Sequence, residues 1–257
     1  MDLCCIHDLL RDLSTSEARQ INFFGINSDN DATSSSTSLR RVALYRNVDE
    51  YVTINCSTAT LRSMLWFSYS IIHLSKLLNK VGKLLRVLYV EAACLQENKL
   101  PKEIGEEVHL SSHHKALSDA IEKWCSLRSL SLRNSSSIPP FVSFAHHLNL
   151  YKMFLHGRIK NLPKMPPDLA KLTLNGSQLQ QDAIETLEKL RNLQVLRLEQ
   201  EPYCSEKMIC SSGGFPHLEF LVLDSSNLKE WIVEEGGFPC LEFLELNCSN
   251  IKEGMGS

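Results

Sequence analysis

Leu218-Glu219-Phe220-Leu221-Val222-Leu223-Asp224-Ser225-Ser226-Asn227-Leu228 decides how this 257-residue chain folds. Leucine holds the first, fourth, sixth and eleventh places, and Ser226 the ninth. From Leu241 the frame returns as Leu241, Leu244, Leu246, Ser249 and Ile251, and Leu169, Leu172, Leu174, Ser177 and Leu179 keep it as well. Shorter copies begin at Leu127 (Leu130, Leu132, Ser135), Leu150 (Met153, Leu155) and Leu193 (Leu196, Leu198). Weaker ones begin at Leu39, Leu61 and Leu85. The lead leucines from 127 onward stand 23, 19, 24, 25 and 23 residues apart.

That period and frame define a leucine-rich repeat. Leu-x-Leu is strand alternation, so both leucines face inward and the residue between them faces solvent. One such strand cannot bury its apolar side alone, but successive coils stacked on each other share a continuous core. The expected fold is an α/β leucine-rich-repeat solenoid: a curved horseshoe of parallel strands with an irregular or helical convex side. An unrelated helical protein would not repeat Phe215-Pro216-His217-Leu218 as Phe238-Pro239-Cys240-Leu241, with proline at the same offset before each strand. The serines at 135, 177, 226 and 249 suit the turn after the strand, where a side chain bonds backbone groups.

Between strands, Asp182 to Asn192 reads as a helix, with Asp182 and Glu185 as a capping box and Ile184, Leu187 and Leu190 on one face. The 42 residues from Leu85 to Leu127 are nearly double the period. Residues 111–123 are therefore either a degenerate coil or an insertion.

Composition narrows the function. A net charge of −3 carries no basic excess for nucleic acid or an anionic membrane. No apolar run is long enough for a bilayer span, and Met1-Asp2-Leu3-Cys4-Cys5 does not open a secretory signal. Nine cysteines, an odd number without secretory context, read as reduced thiols. Cys204 and Cys210, in a long connection, belong with them.

Residues 27–38, Asn-Ser-Asp-Asn-Asp-Ala-Thr-Ser-Ser-Ser-Thr-Ser, carry no large apolar side chain and read as a polar linker. Before them, Ile6, Leu9, Leu10 and Leu13 share one face of a short amphipathic helix. The organisation expected is a segment at 1–26, the linker at 27–38, the repeats at 39–251 and a tail at 252–257.

Ile6-His7-Asp8-Leu9-Leu10-Arg11-Asp12-Leu13, a polar linker and irregular repeats together resemble plant intracellular nucleotide-binding leucine-rich-repeat resistance proteins of the coiled-coil class. Leu100-Pro101-Lys102-Glu103-Ile104-Gly105, Leu155-His156-Gly157-Arg158-Ile159 and Leu228-Lys229-Glu230-Trp231 add to the resemblance. In that family a Met-His-Asp motif closes the nucleotide-binding (NB-ARC) module, and its histidine faces the phosphate of bound ADP. By resemblance His7 and Asp8 take those places, with Ile6 for the usual Met. Residues 1–26 would then be the C-terminal remnant of that module.

The departure is equally clear. No Gly-x-x-x-x-Gly-Lys-Ser/Thr loop exists to cradle phosphates. The chain therefore looks like the C-terminal part of such a receptor, or a truncated paralogue. No cofactor is expected in it, ADP or ATP belonging to the complete family member. A Leu-x-Gly-x-Ile-Pro pattern of extracellular plant receptors is missing, which favours the cytoplasm.

Histidines at 109, 113, 114, 146 and 147 tempt a metal reading, yet no Cys-x-x-Cys accompanies them. Nothing pairs a nucleophile with a base at a spacing that argues for an enzyme. Sequons at Asn55, Asn134, Asn175 and Asn247 mostly follow the strand leucines, where the repeat itself supplies the match.

The informative surface is the solvent side of the strands. It reads Ser129, Ser131, Arg133; Lys152, Phe154, His156; Lys171, Thr173, Asn175; Val195, Arg197, Glu199; Phe220, Val222, Asp224; Phe243, Glu245, Asn247. Charge runs from basic to acidic, with aromatics among it, as suits a protein-binding surface. The expected activity is binding: recognition of a pathogen effector or guarded host protein in plant defence, and restraint of an intramolecular nucleotide-binding module. A substrate-recognition repeat protein of an F-box ubiquitin ligase is the rival class, but residues 1–38 are too short and polar for its adaptor-binding domain. A truncated, non-signalling regulator is the other.

Overall fold

A computed structural model describes residues 25–27, 40–45, 60–67, 83–92, 119, 121–138 and 143–248. Its strands are β1 (Gly25–Asn27), β2 (Arg41–Tyr45), β3 (Ser63–Phe67), β4 (Val87–Ala92), β5 (Ser129–Ser137), β6 (Lys152–Arg158) and β7 (Lys171–Asn175). After helix α1 (Gln181–Leu187) come β8 (Val195–Glu199), β9 (Lys207–Cys210), β10 (Phe220–Asp224), β11 (Glu230–Val233) and β12 (Phe243–Asn247).

Ten of these make one parallel sheet in the order β1-β2-β3-β4-β5-β6-β7-β8-β10-β12, while β9 and β11 pair in a second, two-stranded sheet. The leucine-rich-repeat solenoid is thus the fold. Its register follows the repeat: Met153, Leu172, Leu196, Leu221 and Leu244 stand opposite one another, as do Leu155, Leu174, Leu198, Leu223 and Leu246. Backbone bonds renew the register once per coil, from Ala170 N to Tyr151 O, Gln194 N to Ala170 O, Glu219 N to Gln194 O and Glu242 N to Glu219 O. The lead leucines 127, 150, 169, 193 and 218 are all buried. Ser177 turns the chain as expected, its hydroxyl donating to Pro202 O at 3.1 Å.

The sheet spans the long interval. β4 is bonded directly to β5, Leu88 opposite Leu130 and Val90 opposite Leu132. β4 and β5 are therefore sheet neighbours although 42 residues separate Leu88 from Leu130, and most of the intervening chain, including 111–118, lies outside the described residues. At the other end, β1 pairs with β2, so the sheet reaches N-terminal of residue 39.

Three local expectations need correction. The helix spans Gln181–Leu187, with Gln180 as an N-cap that makes no side-chain bond, so Asp182 lies inside the first turn and caps nothing. The Gln181 amide braces the convex side instead: Nε2 donates to Ile209 O at 2.7 Å, and Oε1 accepts from Ile209 N at 3.1 Å and the Tyr203 hydroxyl at 2.9 Å. Second, Leu244 is 43% exposed and Leu246 38%. β12 has one neighbouring strand, β10, so its inward leucines are covered from one side only. Third, Val222 and Asn175 are buried on the face expected to be solvated.

One glycine is demanded by backbone geometry. Gly157 lies on β6 opposite an irregularity of β5 between Arg133 and Ser137, at φ +123°, and a Cβ there would sit 2.2 Å from Asn134 O. Among the described residues, no helix is long and apolar enough to cross a membrane.

Candidate binding face

Three outward columns cross the sheet, because alternate residues of every strand point away from the core. From β5 to β12 the first column is Ser129, Lys152, Lys171, Val195, Phe220 and Phe243. The second is Ser131, Phe154, Thr173, Arg197, Val222 and Glu245. The third is Arg133, His156, Asn175, Glu199, Asp224 and Asn247. The in-line register puts charges of successive coils beside each other at the strand spacing of about 4.7–4.9 Å.

The middle strands β5, β6 and β7 carry Arg133, Lys152 and Lys171 outward and no carboxylate. Lys152 and Lys171 are exposed. Arg133 is half-buried, its guanidinium carbon 4.6 Å from the Phe154 ring centre and 5.8 Å from that of Tyr89. Beside it, His156 Nδ1 and Asn175 Oδ1 are hydrogen-bonded at 2.8 Å, the ring nitrogen donating. Asn175 is buried under that bond.

Strand β8 is neutral, since Arg197 pairs with Glu199 at 3.5 Å. The same guanidinium lies 4.7 Å over Phe220, whose ring stacks on Phe243 at 4.3 Å with 5° between the planes. Val222 is buried in the column between Arg197 and Glu245. The end of the face is acidic: Asp224 accepts from Gln200 N at 3.4 Å, and Glu245 accepts from the Asn247 amide at 3.0 Å.

Every concave residue expected from the sequence therefore lies on one sheet, in two groups joined by β8. His7 and Asp8 lie outside the described residues. Sequence reasoning overlooked Phe67, Tyr89 and Glu91, although Leu85, Leu88 and Val90 already placed Tyr89 outward. Phe67 and Tyr89 have ring centres 5.1 Å apart, and the Tyr89 hydroxyl donates to Glu91 at 2.8 Å. They extend the aromatic strip two strands toward the N-terminus.

His147 is buried, its Nε2 bonded to Ile121 O at 2.9 Å, while His109, His113 and His114 lie outside the described residues. Burial pushes the Cys210 thiol up to about 11. On the convex side, a depression of about 490 Å³ is lined by Glu188 and the Ser211–Gly214 turn, but the Glu188 carboxylate is spent on Ser211 N–H at 2.9 Å.

No family model and no solved structure matches the chain. It is similar to disease resistance protein RPP8 of Arabidopsis thaliana, 27% identical over 196 residues, covering 61% of this chain and 22% of RPP8. Disease resistance RPP8-like protein 4 of the same plant is 26% identical over the same extent. The probable disease resistance protein RXW24L, also of Arabidopsis thaliana, is 40% identical over 89 residues, 33% of this chain and 10% of that protein. The chain thus spans about a fifth of the length of the RPP8 proteins it matches. These similarities bear out the resemblance read from the motifs: the homologues are plant disease resistance proteins, matched in part.

Proposed function

We propose that this chain is the recognition and autoinhibitory part of a cytoplasmic plant immune receptor, and that its activity is binding rather than catalysis. Homology to disease resistance proteins supports the receptor role. The observation that carries the finer reading is the division of one continuous face into a basic middle and an acidic, phenylalanine-bearing end. In this reading Arg133, Lys152 and Lys171, with Arg197 at the edge of the stretch where Glu199 pairs with it, hold an upstream nucleotide-binding module inactive. Phe220, Asp224, Phe243 and Glu245 are left for a pathogen effector or guarded host protein. The effector acts by preferring the released state, since only differential affinity can shift such an equilibrium.

Nucleotide belongs to the upstream module here. The chain has no phosphate-cradling loop, so His7 and Asp8 could contact ADP only as part of a complete module. The test is reversal of Arg133, Lys152, Lys171 and Arg197 to Glu together, in a receptor carrying the module. Single exposed pairs contribute only about 0–1 kcal/mol, so one reversal is nearly silent, whereas four should weaken association and its salt dependence and give activity without a pathogen. Unchanged association after quadruple reversal sinks the reading.

A further inference from the structure

The best-built position on the basic stretch is Arg133. Rings flank its guanidinium on two sides, Nε is buried with no hydrogen-bond partner, and no carboxylate pairs with it among the described residues. The nearest acidic neighbour in register is Glu91, already accepting from the Tyr89 hydroxyl. A guanidinium is always charged and offers a planar fork of donors that matches a carboxylate. Flanking rings keep that fork oriented before anything binds, which lowers the ordering cost of binding. Among the described residues, Arg133 is a prepared carboxylate receptor with no carboxylate paired to it.

Its surroundings specify what should carry the carboxylate. Arg133 stands opposite His156, and Lys152 lies four residues back along that strand with Phe154 between them. At about 3.3 Å per residue, the arginine and lysine columns are about 13 Å apart, with the phenylalanine column midway. An extended peptide lying along β6 presents residues i, i+2 and i+4 on one side at that spacing.

We propose that this stretch of sheet takes an acidic peptide in extended form: one carboxylate on Arg133, an apolar side chain on Phe154, and a second carboxylate, four residues from the first, between Lys152 and Lys171. The proposal rests on the reading of the face as a protein-recognition surface, and adds the partner's chemistry. Arg133, Lys152, Lys171 and the exposed Arg158 at the end of β6 form a short cluster around an aromatic, not the long run of cations that tracks a nucleic-acid backbone. The central phenylalanine asks for an apolar residue between the charges.

The experiment uses the full chain and a fluorescein-labelled peptide with the core Glu-Ser-Leu-Ser-Glu, read by fluorescence anisotropy. The controls are a scrambled Ser-Glu-Glu-Ser-Leu core, a Gln-Ser-Leu-Ser-Gln core and a single-stranded uridine oligonucleotide. Saturable binding of the first peptide is expected, at least fivefold tighter than of the scrambled or amide peptides and tighter than of the oligonucleotide. Arg133→Lys keeps the charge and loses the flat fork, so it should weaken binding at least fivefold while leaving the thermal midpoint unchanged. Equal binding of the scrambled core, indifference to Arg133→Lys, preference for the oligonucleotide, or no binding at all each overturns the proposal. Failure here is separable from failure of the functional reading: association with the upstream module that falls on quadruple reversal but ignores Arg133→Lys leaves that reading standing.

Discussion

Strands β6 and β7 and strands β10 and β12 share one backbone plan and differ in everything that plan leaves free. Both pairs run parallel in unbroken register and turn the same two leucine-type positions inward. Outward, the first pair carries two lysines, Phe154 and His156. The second carries stacked phenylalanines with Asp224 and Glu245. Inward the difference is one of cover: Leu172 has coils on both sides and is fully buried, while Leu244 is 43% exposed. A solenoid therefore separates stability from recognition. The buried columns hold the coils together whatever the outward columns display, so neighbouring coils can take opposite charge without strain.

The largest test breaks the comparison in the core. Leu172→Ala should cost roughly 2–5 kcal/mol, as for a large side chain removed from a closed core. Leu244→Ala should cost well under half as much, because its side chain has less burial to lose. Chemical denaturation of the two variants decides it. Equal losses would mean that the last coil is as well covered as the middle ones.

A smaller effect should appear with pH, at the convex sheet of β9 and β11. Burial raises the Cys210 thiol from its ordinary 9.0 to about 11. Between those values the unfolded thiol has ionised while the folded one keeps its proton. The native state then binds more protons, and stability falls as pH rises. The contribution is fully present below pH 9 and is lost as pH climbs through about 11, by about 2–3 kcal/mol. Unfolding free energies at pH 8 and 10.5 should show a steeper decline in the native chain than in Cys210→Ala. Parallel declines would assign the loss to other groups.

The smallest effect belongs to the acidic end. A double-mutant cycle on Phe220 and Phe243 should return a coupling of about 0.5–1.5 kcal/mol from the ring stack. Zero coupling would reduce the pair to two separate rings.

The repeat frame was legible because leucine spacing is a local signal repeated many times, and the outward residues followed from alternation alone. Other features were not legible, for identifiable reasons. Asp182 and Glu185 match a capping box, yet the helix begins at Gln181, because that amide is held by Ile209 and Tyr203 from the next coil. Val222 alternates as a solvated residue should, yet it is buried where Arg197 and Glu245 flank it on the neighbouring strands. Tyr89 is in frame, but the copy at Leu85 keeps only Leu88 and Val90 and lacks the turn serine, so its signal is weaker than that of the copies after 127.

By itself the sequence determined that the chain is a stack of coils, which residues face the shared core, and the order of charge along the opposite face. Those follow from a period of two within each strand and a period near 23 between strands, and both are properties of the chain read in one dimension. Only the tertiary structure decided which coils are neighbours where the period breaks. It joined β4 directly to β5 across 42 residues, because loop closure grows only slowly in cost with length and strand pairing is the same at either. It also decided that Arg133 stands between Tyr89 and Phe154. Those two residues are 44 and 21 positions away in the chain, and one strand away in the sheet.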